Sequence, residues 1–162
     1  IFDRFRKACD LYFEKKGEHD KYCFPVEVFI DHDEAGKPSV RGPFDTAGIE
    51  ITLAHKGGEA VAMVADKPVG IDIERIEKRG ADFLDITFTD SEKKLLAGLD
   101  NDEWATRLWT AKEAFAKMKG TGLQGNPRQF EVEKIDGENL YIHGVRIETF
   151  RFKDNYIIGY TA

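Results

Sequence analysis

Two carboxylates two residues apart, Asp72 and Glu74, fall in the run Val69-Gly70-Ile71-Asp72-Ile73-Glu74. Extended backbone sends alternate side chains to opposite faces, so Val69, Ile71 and Ile73 share one face and Asp72 and Glu74 the other. Such alternation is routine for a half-exposed strand with a polar outer face. It also suits a hard cation, because Mg2+ prefers oxygen ligands and takes few carboxylates, leaving positions for water and phosphate. Farther along, Trp109, Glu113 and Lys117 recur every four residues, which stacks them on one helix face away from the stripe of Leu108 and Phe115. A solvated Glu-Lys pair satisfies the same spacing. Trp109 strains that reading, since a large aromatic away from the buried stripe calls for a second cover. Were the Asp72–Glu74 strand that cover, three carboxylates and a lysine would meet. Such a cluster is costly unless a cation or basic groups neutralise it.

Several elements must position these residues. Phe2, Phe5, Cys9, Tyr12 and Phe13 recur at roughly helical spacing and predict an amphipathic helix over Phe2 to Lys16. A strand is expected from Tyr22 to Ile30, then a polar loop from Asp31 to Pro38. Ile49 to His55 and Glu59 to Ala65 read as a hairpin around Lys56-Gly57-Gly58. Thr89 and Glu92 have capping-box spacing for a short helix to Leu96, and Asp100 with Glu103 opens a longer one to about Lys119. On the latter, Trp104, Leu108, Ala111, Phe115 and Met118 form the expected buried stripe, and Gly120 and Gly122 mark the exit. Phe130 to Tyr160 reads as antiparallel strands with turns at Asp136-Gly137, His143-Gly144 and Lys153-Asp154-Asn155. The plan repeats loosely, suggesting an α+β chain of two related lobes meeting near residue 69.

Composition narrows the classes. A chain of 162 residues with 41% hydrophobic content is an ordinary globular sequence. A net charge of −6 argues against a nucleic-acid binder, which needs a concentrated basic surface. Cys9 and Cys23 have no metal-ligand spacing and are too few for a disulfide framework, and no apolar run approaches a membrane span, so a cytoplasmic setting is expected. The chain starts at Ile1, so a trimmed end, an omitted end or a larger parent polypeptide all remain open.

Read in order, Gly70-Ile71-Asp72-Ile73-Glu74, then Phe88-Thr89-Asp90-Ser91-Glu92, then Trp109-Thr110-Ala111-Lys112-Glu113-Ala114-Phe115-Ala116-Lys117 closely resemble the signatures of the 4'-phosphopantetheinyl transferase superfamily. Gly120-Thr121-Gly122-Leu123 resembles the family's glycine exit, and Gly36-Lys37-Pro38 with Ile51 to Gly57 resembles the two-lobe, surfactin-synthetase-associated type. The likeness runs from about Glu34 to Leu123 and more loosely beyond, while residues 1 to 33 carry no motif that adds to it.

The resemblance implies the transferase fold as a pseudo-dimer, with a shortened N-terminal lobe over 1–69 and a C-terminal lobe over 70–162 that carries the motifs. A monomer is expected rather than a homotrimeric single-lobe synthase. It implies transfer of phosphopantetheine from coenzyme A to a serine of an acyl or peptidyl carrier protein, with Mg2+ as cofactor and no nucleic-acid or membrane partner. Asp72, Glu74 and Glu113 then resemble the metal ligands, with Asp72 also facing the cofactor. Glu113 would serve as base, Lys117 would contact the reacting phosphate, and Lys37 and His55 would hold phosphates of the nucleotide. One departure is Ala54, where the family often has serine. Lys112 reaches either this pocket or solvent; Glu92 reads as a helix cap; Lys93, Lys94 and Lys119 flank the site. The alternatives are a Mg-dependent nuclease or phosphohydrolase using Asp72, Glu74 and Lys94, or a non-catalytic carrier-binding domain.

Overall fold

The computed structural model describes residues 7, 11, 14, 15, 17, 29–34, 36–42 and 46–162, the side chain of residue 101 excepted. Lys7, Leu11, Glu14 and Lys15 are helical. The apolar stripe expected there, Phe2, Phe5, Cys9, Tyr12 and Phe13, and the strand expected from Tyr22 through residue 28 lie outside the described residues.

The polar stretch after residue 30 is a loop at its centre, as read, but its ends Asp31, His32 and Pro38 lie in the facing arms of a hairpin, β1 (Phe29–His32) and β2 (Pro38–Arg41), with His32 opposite Pro38. The turn explains why loop-type residues sit in strands: Asp33 N–H donates to Lys37 O (3.0 Å), Lys37 N–H donates to Asp33 Oδ1 (2.8 Å), and Gly36 adopts φ 81°. The next hairpin, β3 (Glu50–Lys56) and β4 (Glu59–Ala65), follows the reading from sequence, with Gly57 and Gly58 both at positive φ, 57° and 88°. A two-residue turn needing positive φ twice matches the right-handed twist of its strands.

β5 (Ile71–Arg75) leads to three helices, α1 (Ala81–Thr87), α2 (Asp90–Leu96) and α3 (Asn101–Lys119). Helix α1 was not legible in the sequence: its N-cap is Gly80 with no side-chain bond, and it is held by packing of Phe83 and Leu84 on the core rather than by local signals. α2 has the capping box of Thr89 and Glu92, and α3 begins at the Asp100 cap and ends at Gly120 in the left-handed region, as read. A 3-10 turn (Pro127–Gln129) precedes β6 (Lys134–Asp136), β7 (Asn139–Ile142), β8 (Val145–Phe152) and β9 (Tyr156–Thr161). These strands and β5 form one antiparallel sheet in the order β5-β9-β8-β7-β6, so the architecture is α+β.

α3 is buried more widely than a single stripe. Leu108, Ala111 and Phe115 are in the core as expected, and Ala105, Ala114, Ala116, Thr106 and Thr110 are buried too. Small side chains allow the sheet to approach closely. A Cβ at Gly70 would stand 1.8 Å from the Ala114 carbonyl oxygen, so β5 meets α3 backbone to backbone just before Asp72. On the opposite face of β5, Ile71 and Ile73 pack with Ala54, Tyr156 and Ile158. β5 is therefore covered on both faces, and the half-exposed strand does not occur. Among the described residues, no helix is long and apolar enough to cross a membrane.

Candidate active site

With Ile71 and Ile73 turned to the apolar cluster, strand parity turns Asp72 and Glu74 toward α3. The second cover that Trp109 called for is this strand: Trp109 Nε1 donates to Glu74 Oε1 (3.3 Å), and Lys117 Nζ donates to Asp72 Oδ1 (2.8 Å). Lys117 also donates to the carbonyls of Leu53 (3.3 Å) and Ile71 (3.2 Å), so its ammonium ties α3 to both β3 and β5. Glu113 lies one turn before Lys117 on the same face.

The charges here are poorly reconciled. Burial pushes the Asp72 carboxyl above the usual range despite the Lys117 ammonium beside it, and Asp72 Oδ2 is buried with no hydrogen-bond partner. Burial, with the nearby Asp72 and Glu74 carboxylates, pushes Glu113 up to about 7. Glu74 is held instead by basic groups: Lys56 Nζ is 2.7 Å and Arg79 Nη2 3.7 Å from its Oε2. Arg79 itself stacks over Phe83 at 4.7 Å and pairs with Glu77 at 2.8 Å. Among the described residues, no three His, Cys, Asp or Glu side chains are grouped closely enough to hold a metal ion; lysines sit on Asp72 and Glu74. The donors are nevertheless all oxygens, and one is an orphaned buried carboxylate oxygen, which is the chemistry a hard cation takes.

A cavity of about 230 Å3 opens beside this cluster, lined by Lys37, Thr52, Leu53, Glu113, Lys117 and Gly120 among others. Lys37 thus lines the same space as Glu113 and Lys117, and its Nζ pairs with Glu50 at 2.7 Å. His55 does not line that cavity. It is exposed on β3, on the same parity as Ile51 and Leu53 and roughly 7 Å along the strand from Leu53.

Lys112 reaches neither the cavity nor solvent. It is fully buried, donating to Glu92 (2.8 Å), Thr87 O (3.1 Å) and Pro127 O (3.1 Å). Glu92 caps Thr89 N–H as read, and also takes this lysine. Lys93 is paired with Asp85 at 2.6 Å, which leaves Lys94 and Lys119 as exposed flanking charges. Sequence reasoning missed Lys56 and Arg79. Lys56 shares strand parity with buried Thr52 and Ala54, a usable signal; Arg79 sits in a charge run with none.

The profile described as "4'-phosphopantetheinyl transferase superfamily" matches residues 68–161, which span β5, α3 and every strand of the five-stranded sheet. The 4'-phosphopantetheinyl transferase psf-1 of Bacillus pumilus is 33% identical over 132 residues, 75% of this chain and 55% of that protein. The 4'-phosphopantetheinyl transferase Sfp of Bacillus subtilis (strain 168) is 30% identical over 100 residues, 60% of this chain and 43% of that protein. A holo-[acyl-carrier-protein] synthase of Oenococcus oeni is 35% identical over 80 residues, 44% of this chain and 61% of that protein. The chain spans about half the length of the two Bacillus relatives. Since the profile covers more than half of the chain, including the strand and helix that meet at Asp72, Glu74, Glu113 and Lys117, this chain belongs to the 4'-phosphopantetheinyl transferase superfamily.

Proposed function

We propose that this chain transfers the 4'-phosphopantetheinyl group from coenzyme A to a serine of an acyl or peptidyl carrier protein, releasing adenosine 3',5'-bisphosphate, with Mg2+ as cofactor. The observation that carries the reading is the meeting of β5 and α3, where Asp72, Glu74, Glu113 and Lys117 gather beside a cavity that Lys37 also lines.

The serine oxygen forms a bond to the pantetheine-side phosphorus. The bond from that phosphorus to the bridging oxygen breaks, and its electron pair leaves with the adenosine bisphosphate. Glu113 takes the serine proton, as the carboxylate of the cluster that lines the cavity. Lys117 faces the leaving phosphate; its protons already have three acceptors, so it gives one of them up for a phosphate oxygen. Lys37 holds another phosphate, and His55 takes the part of the nucleotide that extends past Leu53. Asp72, Glu74 and Glu113 would hold the metal, which would supply charge neutralisation to the pyrophosphate. Asp72 and Glu74, now paired with Lys117 and Lys56, would be engaged by that ion, which would leave both ammoniums available to phosphate. A cavity of about 230 Å3 is below the usual size for a cofactor site, so it receives the diphosphate and not the whole of coenzyme A.

We read 1–69 and 70–162 as two lobes of one monomer. Thr52 Oγ1 accepts from Ile71 N–H (3.3 Å) and Gly57 O accepts from Tyr156 OH (3.2 Å), which supports docking of the first lobe on the second.

Intact mass decides the function. An apo-carrier incubated with this chain, coenzyme A and Mg2+ gains one phosphopantetheinyl group. Consumption of coenzyme A without a mass gain would establish a hydrolase instead, and carrier binding without either change a docking domain.

A further inference from the structure

Glu50 is the carboxylate paired with Lys37, a residue that lines the cavity, and no part of the proposed chemistry uses it. It opens β3, paired across the hairpin with Ala65, and its Oε2 lies 2.7 Å from Lys37 Nζ. Both side chains are about two-thirds buried, at 31% and 29% exposure, so the pair is screened less than a surface one.

The rest of Lys37 has little freedom. Its N–H donates to Asp33 Oδ1 (2.8 Å), and its stem runs over Gly120, where a Cβ would meet Lys37 Cδ at 3.1 Å. Only the ammonium end is left to change partner. The other two lysines of the cluster rest on Asp72 and Glu74, carboxylates with a proposed second role as metal ligands. Glu50 has no such role, so metal binding does not release Lys37 from it.

We propose that Glu50 is an internal counter-ion that competes with the incoming phosphate for Lys37, and thereby sets the affinity of the phosphate subsite. The proposal rests on the reading of Lys37 as a phosphate group of this site. A phosphate that takes Lys37 must first replace the Glu50 carboxylate, and part of the binding free energy is spent on that exchange.

The test is equilibrium binding of adenosine 3',5'-bisphosphate to the full chain in EDTA, for wild type, Glu50→Gln, Lys37→Gln and the double variant. Glu50→Gln should tighten binding roughly twofold to fivefold, the worth of a partly exposed ion pair, and Lys37→Gln should weaken it. In the Lys37→Gln background, Glu50→Gln should have little further effect, which separates competition at Lys37 from general repulsion of anions. Thermal midpoints establish that each variant folds, and Glu50→Ala should act in the same direction as Glu50→Gln. Unchanged or weaker binding in Glu50→Gln overturns the proposal, as does an equal gain in the Lys37→Gln background. The carrier mass test on wild type reads the function separately: transfer with an additive cycle removes Glu50's role alone, and no transfer with a non-additive cycle removes the function alone.

Discussion

Adjacent residues of α3, Lys112 and Glu113, belong to two charged neighbourhoods built on opposite plans. Lys112 and Glu92 are both fully buried, yet every hydrogen-bonding need is met. The lysine has three acceptors, and Glu92 accepts from Lys112, from Thr89 N–H at 2.8 Å and from Val132 N–H at 2.8 Å. The cluster joins α2, α3, the 3-10 turn and the chain before β6. Around Glu113, by contrast, Asp72 Oδ2 is an orphan, Asp72 and Glu113 both have raised pKa values, and four basic or indole groups serve two carboxylates. A saturated buried ion pair has no capacity left for a ligand; an unsaturated one does. Charge in a helix motif is therefore not a guide to function until its partners are counted.

That contrast breaks most sharply at Lys112. Lys112→Met should destabilise the fold by about 3–5 kcal/mol, because it leaves Glu92 charged and unpaired in the core. Urea denaturation reads this as a lowered midpoint. Replacing both partners by apolar residues should not restore stability, since the Thr89 and Val132 N–H groups would lose their acceptor.

At the neighbouring residue the effect falls on activity instead. Glu113→Gln should lower transfer by on the order of 10²–10³-fold while leaving the urea midpoint at neutral pH unchanged or raised. A large loss of stability with retained transfer would invert the comparison.

Gly70→Ala tests the contact that brings the unsaturated cluster together. The added Cβ collides with the Ala114 carbonyl, so about 1–3 kcal/mol of stability should be lost as β5 and α3 separate. Transfer should fall with it, because Asp72 is two residues away.

The smallest effect is a pH slope. Glu113 is raised from 4.5 to about 7 in the folded chain, so the folded state holds its proton more tightly than the unfolded state. The stabilisation is complete below about pH 4.5 and is lost as pH rises through about 7. Asp72, also raised, acts in the same direction. Thermal midpoints in EDTA should therefore fall across this window in wild type, and less steeply in Glu113→Gln.

Much of this was legible in the residues. The Gly57-Gly58 hairpin, the capping box at Thr89 and the exit at Gly120 are local devices, each specified within a few residues. Periodicity likewise placed Asp72 with Glu74, and Trp109 with Glu113 and Lys117, because backbone geometry alone sets the parity of a strand and the face of a helix. Helix α1 escaped because it has no capping side chain, and β2 because its turn relies on Asp33 reaching across four residues to Lys37.

Which face meets which was decided only by the tertiary structure. The spacing of Lys112 and Glu113 says that they point in different directions, not that one enters a saturated core and the other a cavity. Lys56 reaches Glu74, and His55 stays outside the cavity that Lys37 lines, through contacts between separate segments of the chain. The contacts of Trp109 with Glu74 and of Lys117 with Asp72 depend on how closely β5 can approach α3, and hence on Gly70 having no side chain. Local backbone geometry determined each carboxylate's orientation on its own element; long-range packing determined that β5 turns Asp72 and Glu74 toward α3.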